Sequence, residues 1–329
     1  MSKVIDKSIE VYKKWCAELG IYTAKDINRA VQTGGIVELI NLCEIWHEQN
    51  ISNIAALIAG HIGKKQLVLI AGPSSSGKTS FANRLKLHLK VLGIRSKTLS
   101  MDDYFYDKSD VDPKDLDYTS FDYIEAMDYV LFNQHVAAIL EGETVSTPRF
   151  DFPTRRQIPN AKEISLESDE ALIVEGIHAL NEKISDRVDD ARKYKIYCTA
   201  LTSISRDDGE RISSRDTRLI RRLIRDCYFR NSSPDLTFRM WQDVEKAAQV
   251  NIYPYTDSAD IVFNSSVLYE FCVYKKHLDK FLQKNPPSDI YQPYLDKIDA
   301  IVREFLSIDD SMVPHTSFLR EFIGGSSLF

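Results

Sequence analysis

Gly72-Pro-Ser-Ser-Ser-Gly-Lys-Thr79 restricts what this chain can fold into more than any other stretch. An apolar run, residues 66–71, precedes it and reads as a buried strand. After it, Phe81, Leu85, Leu89 and Leu92 recur at the spacing of a helix face. Strand, glycine loop and helix in that order is the setting in which the pattern becomes a P-loop. Loop and helix N–H groups then cradle phosphates, with Gly72, Ser74, Ser75, Ser76, Gly77, Lys78, Thr79 and Ser80 as the nucleotide-binding set. Lys78 is placed to reach the terminal phosphates, and the Thr79 hydroxyl to hold Mg²⁺.

The rest of the chain is consistent with one sizeable α/β domain and its appendages. Its 329 residues are 43% apolar and 27% charged, the composition of a globular protein. A net charge of −6 argues against a general nucleic-acid binder, whose footprint is basic. No apolar run reaches the roughly 18–20 residues that span a bilayer, and the N-terminus lacks the apolar core of a secretory signal, so no membrane partner is expected. Cys16, Cys43, Cys198, Cys227 and Cys272 are scattered and odd in number, which reads as reduced thiols of a cytoplasmic protein.

Residues 1–62 read as a helical N-terminal extension, with Ile36, Leu39, Ile40 and Cys43 on one face and Ile54, Leu57 and Ile58 on another. Residues 63–285 alternate strand-like stretches (66–71, 94–99, 171–175, 195–201, 260–263) with helix-like ones (78–92, 124–141, 211–228, 240–250). That alternation predicts a mostly parallel sheet with helices on both faces. Residues 143–166 break the rhythm and predict a small hairpin. Residues 286–329 read as a helical C-terminal extension with a helix over 294–306.

Three further features carry chemistry. Leu172-Ile-Val-Glu175-Gly176 ends a strand in a carboxylate beside the P-loop, where it can orient Mg²⁺. Ser100-Met-Asp102-Asp103-Tyr-Phe105 puts acids at the end of a neighbouring strand, and such an aspartate can accept an alcohol proton during phosphoryl transfer. Arg211, Arg215, Arg218, Arg222 and Arg225 are spaced to stack on one helix face, with Ile212, Leu219, Leu223 and Ile224 anchoring another. A guanidinium row of this kind can clamp phosphates; the alternative is a solvated face neutralised by Asp216 and Asp226.

GPSSSGKT, SMDDYF, SFDYIEAMD, TPRFDF, IVEGIHAL, RLIRRLIRD and ADIVFNSS together resemble the phosphoribulokinase/uridine kinase family, and within it the long-form uridine kinase-like proteins. Some of those carry an upstream region related to threonyl-tRNA synthetase editing and TGS modules, after which this chain is expected to begin. The resemblance implies a P-loop NTPase fold, with residues 63–285 as the kinase domain. It also implies a homo-oligomer that uses ATP or GTP with Mg²⁺ to phosphorylate the 5′-hydroxyl of uridine or cytidine.

Carried over by motif, Asp102 is the catalytic aspartate, and Lys78, Arg222 and Arg225 form the electrostatic clamp. Thr79, Glu175 and Asp102 form the metal set. Asp122, Phe105, Phe150, Arg155 and Arg230 form the acceptor-binding set, and Asp260 falls on a late strand near the base without a firm role. The arginine helix and the 143–166 hairpin are the expected moving parts.

The sequence departs from the family where the acceptor is read. The His-Pro of F/Y-D-H-P is Tyr123-Ile124, and in P-x-Y-x-[FY]-x-x-H the Tyr is Phe150 and the His is Arg155. A guanidinium donates hydrogen bonds and cannot accept them, so Arg155 cannot copy a neutral imidazole. Three readings therefore stand: a nucleoside kinase, a kinase of a sugar phosphate gripped by Arg149, Arg155 and Arg156, and a nucleotide-binding regulatory module without turnover.

Overall fold

A computed structural model of the chain describes residues 3–109, 121–284 and 286–328. Ser120 of the SFDYIEAMD motif and the boundary residue Asn285 lie outside them. The order of elements is α1 (Lys3–Glu18), α2 (Ala24–Thr33), α3 (Ile36–Ala59), β1 (Leu67–Ala71), α4 (Lys78–Val91), β2 (Ser96–Ser100), α5 (Tyr129–Leu140), β3 (Val145–Asp151), β4 (Arg156–Ile164), β5 (Ala171–Glu175), β6 (Lys193–Thr199), α6 (Ser214–Phe229), α7 (Pro234–Asn251), β7 (Ile261–Asn264), α8 (Glu270–Lys284), α9 (Gln292–Val302) and the short α10 (Arg320–Ile323).

Five strands form one parallel sheet in the order β2-β5-β1-β6-β7. All five residues of β1 are buried, which is what a continuous apolar strand covered on both faces requires. Leu67, Leu69 and Ala71 face a core built with Phe132, Val136 and Ile139 of α5. Val68 and Ile70 face the opposite core, with Phe81 and Leu85 of α4, Ile51 and Ile54 of α3, and Phe318 near the C-terminus. The mostly parallel sheet between two helical layers is therefore as the sequence predicts. β3 and β4 form the separate antiparallel hairpin.

A third core lies away from the sheet. Tyr12, Cys16, Ile27 and Leu39 from the N-terminal helices pack in it with Leu219 and Ile220 of α6, Phe271 and Tyr274 of α8, Ile301 and Phe305. The two terminal extensions thus share one apolar interior with the helices that follow β6. Residues 264–285 carry no element in the sequence reading, yet α8 occupies most of that stretch, with Phe271, Cys272 and Tyr274 fully buried. Among the described residues no helix is long and apolar enough to cross a membrane, and all five cysteines are free thiols.

Candidate active site

Because the strands are parallel, the residues after each one collect at a single edge of the sheet, where open α/β sheets bind ligands. Register sets the neighbours. Glu175, the last residue of β5, lies opposite Ile70 of β1 and opposite Ser100 of β2, which places it between the P-loop and Asp102.

Two glycines make the arrangement sterically feasible. A Cβ on Gly72 would lie 2.1 Å from the Cys198 carbonyl oxygen, so the loop's first turn leaves no room for a side chain against β6. Gly77 has φ +87°, the left-handed conformation that lets the loop turn into α4. The Lys78 ammonium, buried at 8% exposure, donates to the Pro73 carbonyl at 3.3 Å, curled over the loop it is expected to serve. Ser75 Oγ and Ser76 Oγ are buried with no hydrogen-bond partner among the described residues. Such orphaned hydroxyls are unusual away from ligand sites.

Thr79 Oγ1 donates to Glu175 Oε1 at 2.9 Å. Burial pushes the Glu175 carboxyl up to about 7, with Lys78 pulling it down and the Asp102 carboxylate pushing it further up. Asp102 is raised by burial too, against Lys78, Arg230 and Arg225. The Lys78 charge therefore bears on both carboxylates. A hydroxyl and two carboxylates are hard oxygen donors of the kind Mg²⁺ takes. Among the described residues no group of three or more His, Cys, Asp or Glu side chains forms a ready cage. The set suits an ion that keeps most of its waters and shares the rest of its shell with phosphates.

The arginines of the row divide by role. Arg211 precedes α6 and its guanidinium donates to the Thr202 carbonyl at 3.4 Å, so the expectation of five on one helix face is corrected to four. Ser213 ends the helix on that side: its hydroxyl accepts from the Asp216 amide at 3.1 Å, a capping arrangement that excludes Arg211. Arg215 is exposed and lies 3.6 Å from Glu245. Arg218, 1% exposed, donates to the Ser74 carbonyl, the Tyr253 hydroxyl and Glu245, and is a structural tie rather than a free clamp.

Arg222 Nη1 donates to Ser74 Oγ at 3.1 Å, and its Nε lies 3.2 Å from Asp226. Arg225 donates to Asp226 at 2.8 Å, and Arg230 lies 3.7 Å from the same carboxylate. Burial alone would raise the Asp226 carboxyl, but Arg225, Arg222 and Arg230 together hold it below its usual range. Three guanidiniums on one carboxylate leave surplus positive charge beside the P-loop. The crowding shows in Arg230, which Arg225 lowers to about 10.

The sequence reading missed Arg221, which is fully buried and bound to Glu270 at 2.8 Å and to Ser265. It also missed Glu321, which accepts hydrogen bonds from Ser80. Arg221 lies within RLIRRLIRD, but its role, like that of Glu321, depends on contacts far apart in sequence.

On the acceptor side, burial raises the Asp122 carboxyl, with Arg222 opposing and Asp102 adding. Phe105 and Phe150 are nearly fully buried in a ring cluster with Phe121 and Phe152, with Phe105–Phe150 centroids 5.6 Å apart. Phe152 is 48% exposed, and the Arg230 guanidinium lies 5.8 Å from its ring centre. Asp103 holds the hairpin to this cluster by accepting from the Phe150 amide at 3.1 Å. Arg155 stands in the tight turn between β3 and β4 with φ +57°, its carbonyl accepting from the Lys108 amide at 3.0 Å. Asp260 lies at the other end of the sheet, just before β7, accepting from the Lys195 amide at 2.8 Å.

Comparison with known proteins concerns the stretch of chain that carries most of this site. Uridine kinase from Listeria welshimeri serovar 6b is 31% identical over 204 residues, covering 60% of this chain and 87% of that one. Uridine kinase from Ureaplasma parvum serovar 3 is 25% identical over 176 residues, covering 54% and 76%. A solved structure described as a fructose transport system kinase from Silicibacter sp. TM1040 aligns at 19% identity with a TM-score of 0.49, covering 65% of this chain and 98% of that one. The family model described as phosphoribulokinase/uridine kinase matches residues 67–268, from β1 and the P-loop through the arginine helix to the turn after β7, and the chain belongs to that family.

Proposed function

We propose that the protein transfers the terminal phosphoryl group of ATP, or of GTP, to the 5′-hydroxyl of a nucleoside, uridine or cytidine. The observation that carries this reading is the placement of Asp102 at the end of β2, across β5 from the P-loop, within electrostatic reach of both Lys78 and Glu175. An aspartate there can accept the proton of an attacking hydroxyl. Its raised pKa makes it a better proton acceptor than an ordinary carboxylate.

The P-loop amides and Lys78 hold the donor's phosphates. Arg222, Arg225 and Arg230 converge on Asp226 beside the P-loop, from where they can stabilise charge that develops during transfer. Thr79, Glu175 and Asp102 are the residues that would hold Mg²⁺, which neutralises phosphate charge when bound. Asp122, beside Arg222 and Asp102, is assigned to the ribose hydroxyls. The free thiols support a reducing compartment, the cytoplasm.

Mg²⁺-dependent ATP consumption across uridine, cytidine, other nucleosides and sugar phosphates tests the proposal. An acceptor-dependent rate with uridine or cytidine is expected. A rate only with a sugar phosphate transfers the same mechanism to another acceptor, the reading favoured by the exposed Arg149 and Arg156 on the hairpin. Nucleotide binding without any acceptor-dependent rate overturns the catalytic reading.

A further inference from the structure

Ser80 is the third residue of α4, in the first turn, where backbone N–H groups have no intrahelical acceptor. Its amide donates to Glu321 Oε2 at 3.1 Å, and its hydroxyl donates to the same oxygen at 2.6 Å. One carboxylate oxygen thus takes both donors that a phosphate oxygen would use at this helix end.

The segment that carries Glu321 is fixed. Phe318, Leu319 and Phe322 are fully buried. A Cβ on Gly77 would lie 3.2 Å from the Phe318 ring. The Arg320 guanidinium is consumed by main-chain carbonyls, at 2.8 Å from Asp310 and 2.5 Å from Val313 among others. Of the residues from Phe318 to Ile323, Glu321 alone is partly exposed.

The Glu321 carboxylate has no direct cationic partner among the described residues; its hydrogen bonds come from the two Ser80 donors. Among the described residues it forms no ion pair within 4 Å, and Arg221, the guanidinium that feels it, is already bound to Glu270 and Ser265. It also stands close enough to Glu175 to act on it electrostatically. A half-buried acid held only by a helix N-terminus, beside a second acid, is displaced readily by a ligand that brings its own negative charge and takes the same two donors.

We propose that Glu321 sets the affinity for the donor nucleotide by occupying a phosphate-oxygen position on Ser80, so that a nucleoside polyphosphate binds only when the Glu321 side chain rotates away. The inference rests on the P-loop binding a nucleotide, as the proposed function requires. Apparent affinity falls by the fraction of molecules in the open state. With the closed state at roughly nine-tenths, removing the competing charge tightens binding about tenfold.

Calorimetric titration of ATP, ADP and inorganic tripolyphosphate into the full chain, in the native form and as Glu321→Gln, tests this. The neutral Gln amide accepts from Ser80 more weakly than a carboxylate does, so it preserves the local fold while competing less with phosphate; thermal melting checks the fold. Glu321→Asp, which retracts the charge by one methylene, serves as the second variant and should give an intermediate gain. Tighter binding of all three phosphate compounds, with adenosine affinity unchanged, is the expected result. Equal or weaker phosphate binding by Glu321→Gln overturns the inference and leaves the proposed function standing, as does an equal gain for adenosine. Failure of native and variant proteins alike to bind any nucleotide overturns both.

Discussion

Arg218 reaches across 144 residues of sequence to donate from Nε to the main-chain carbonyl of Ser74, at 3.0 Å. The tie fastens the middle of α6 to the P-loop, and Arg222, one turn further on, repeats it through the Ser74 hydroxyl. The arginine helix is therefore a fixed rail along most of its length. Its C-terminal end is held less tightly: Arg230 is 48% exposed and 3.7 Å from Asp226.

That division predicts opposite phenotypes for two residues one turn apart. Arg218→Met strands the buried Glu245 carboxylate beside an exposed Arg215, and it should cost about 3–5 kcal/mol in urea unfolding. Arg222→Met leaves Asp226 with Arg225 and Arg230, so stability should change little. Its kcat should fall about 10²–10³-fold, the loss typical of one charge-stabilising donor.

Asp102→Asn should lower kcat about 10²–10⁴-fold, the range attributed to a positioned general base. Nucleotide affinity measured by equilibrium titration should stay within a few-fold of native, because the P-loop donors are untouched. Equal turnover by the variant would remove Asp102 from the proposed mechanism.

Acid should destabilise the fold through His47. The ring is 1% exposed, its Nε2–H donates to the Ser266 carbonyl at 3.0 Å, and burial, with Arg84 and Arg221 adding, lowers its pKa to about 3. Unfolded chain takes up a proton near pH 6.5 while the folded chain does not. Stability is therefore present in full above pH 6.5 and lost as pH falls towards 3. Chemical unfolding at several pH values should show a loss on the order of 1 kcal/mol per pH unit over that window from this residue. His47→Gln, which keeps a side-chain N–H for Ser266, should flatten that part of the slope.

Phe318→Ala should cost about 3–5 kcal/mol, because the ring is fully buried against Phe263 and His47 and its removal opens a cavity beneath the P-loop. Urea unfolding measures it. A small effect would mean that the C-terminal segment packs on the kinase core without contributing to its stability.

The sheet and the P-loop were legible because their causes are local: an apolar strand, glycines where no Cβ fits, and a helix with regular spacing. Glu175 and Asp102 followed from strand ends alone. Arg211 was misplaced because 3–4 spacing was extended through Ser213, although Ser213 followed three residues later by Asp216 is itself a readable capping signal. Arg221, one residue before Arg222, looked like any other helix cation. Its partner Glu270 lies 49 positions away, and nothing in the sequence links the two. Glu321 was illegible for the same reason at greater distance.

Ser80 and Glu321 are 241 positions apart, and Phe318 closes the same core as Val68, Ile70 and Phe81. A nascent chain makes the P-loop strand and helix long before it makes the residues that cover them. Until then the apolar side of α4 stays open to water and to other chains, and closure of a loop this long comes late and slowly. The segment around Phe318 and Glu321 thus ties closure of the P-loop's helical layer to contacts made as far as 241 positions later in the chain.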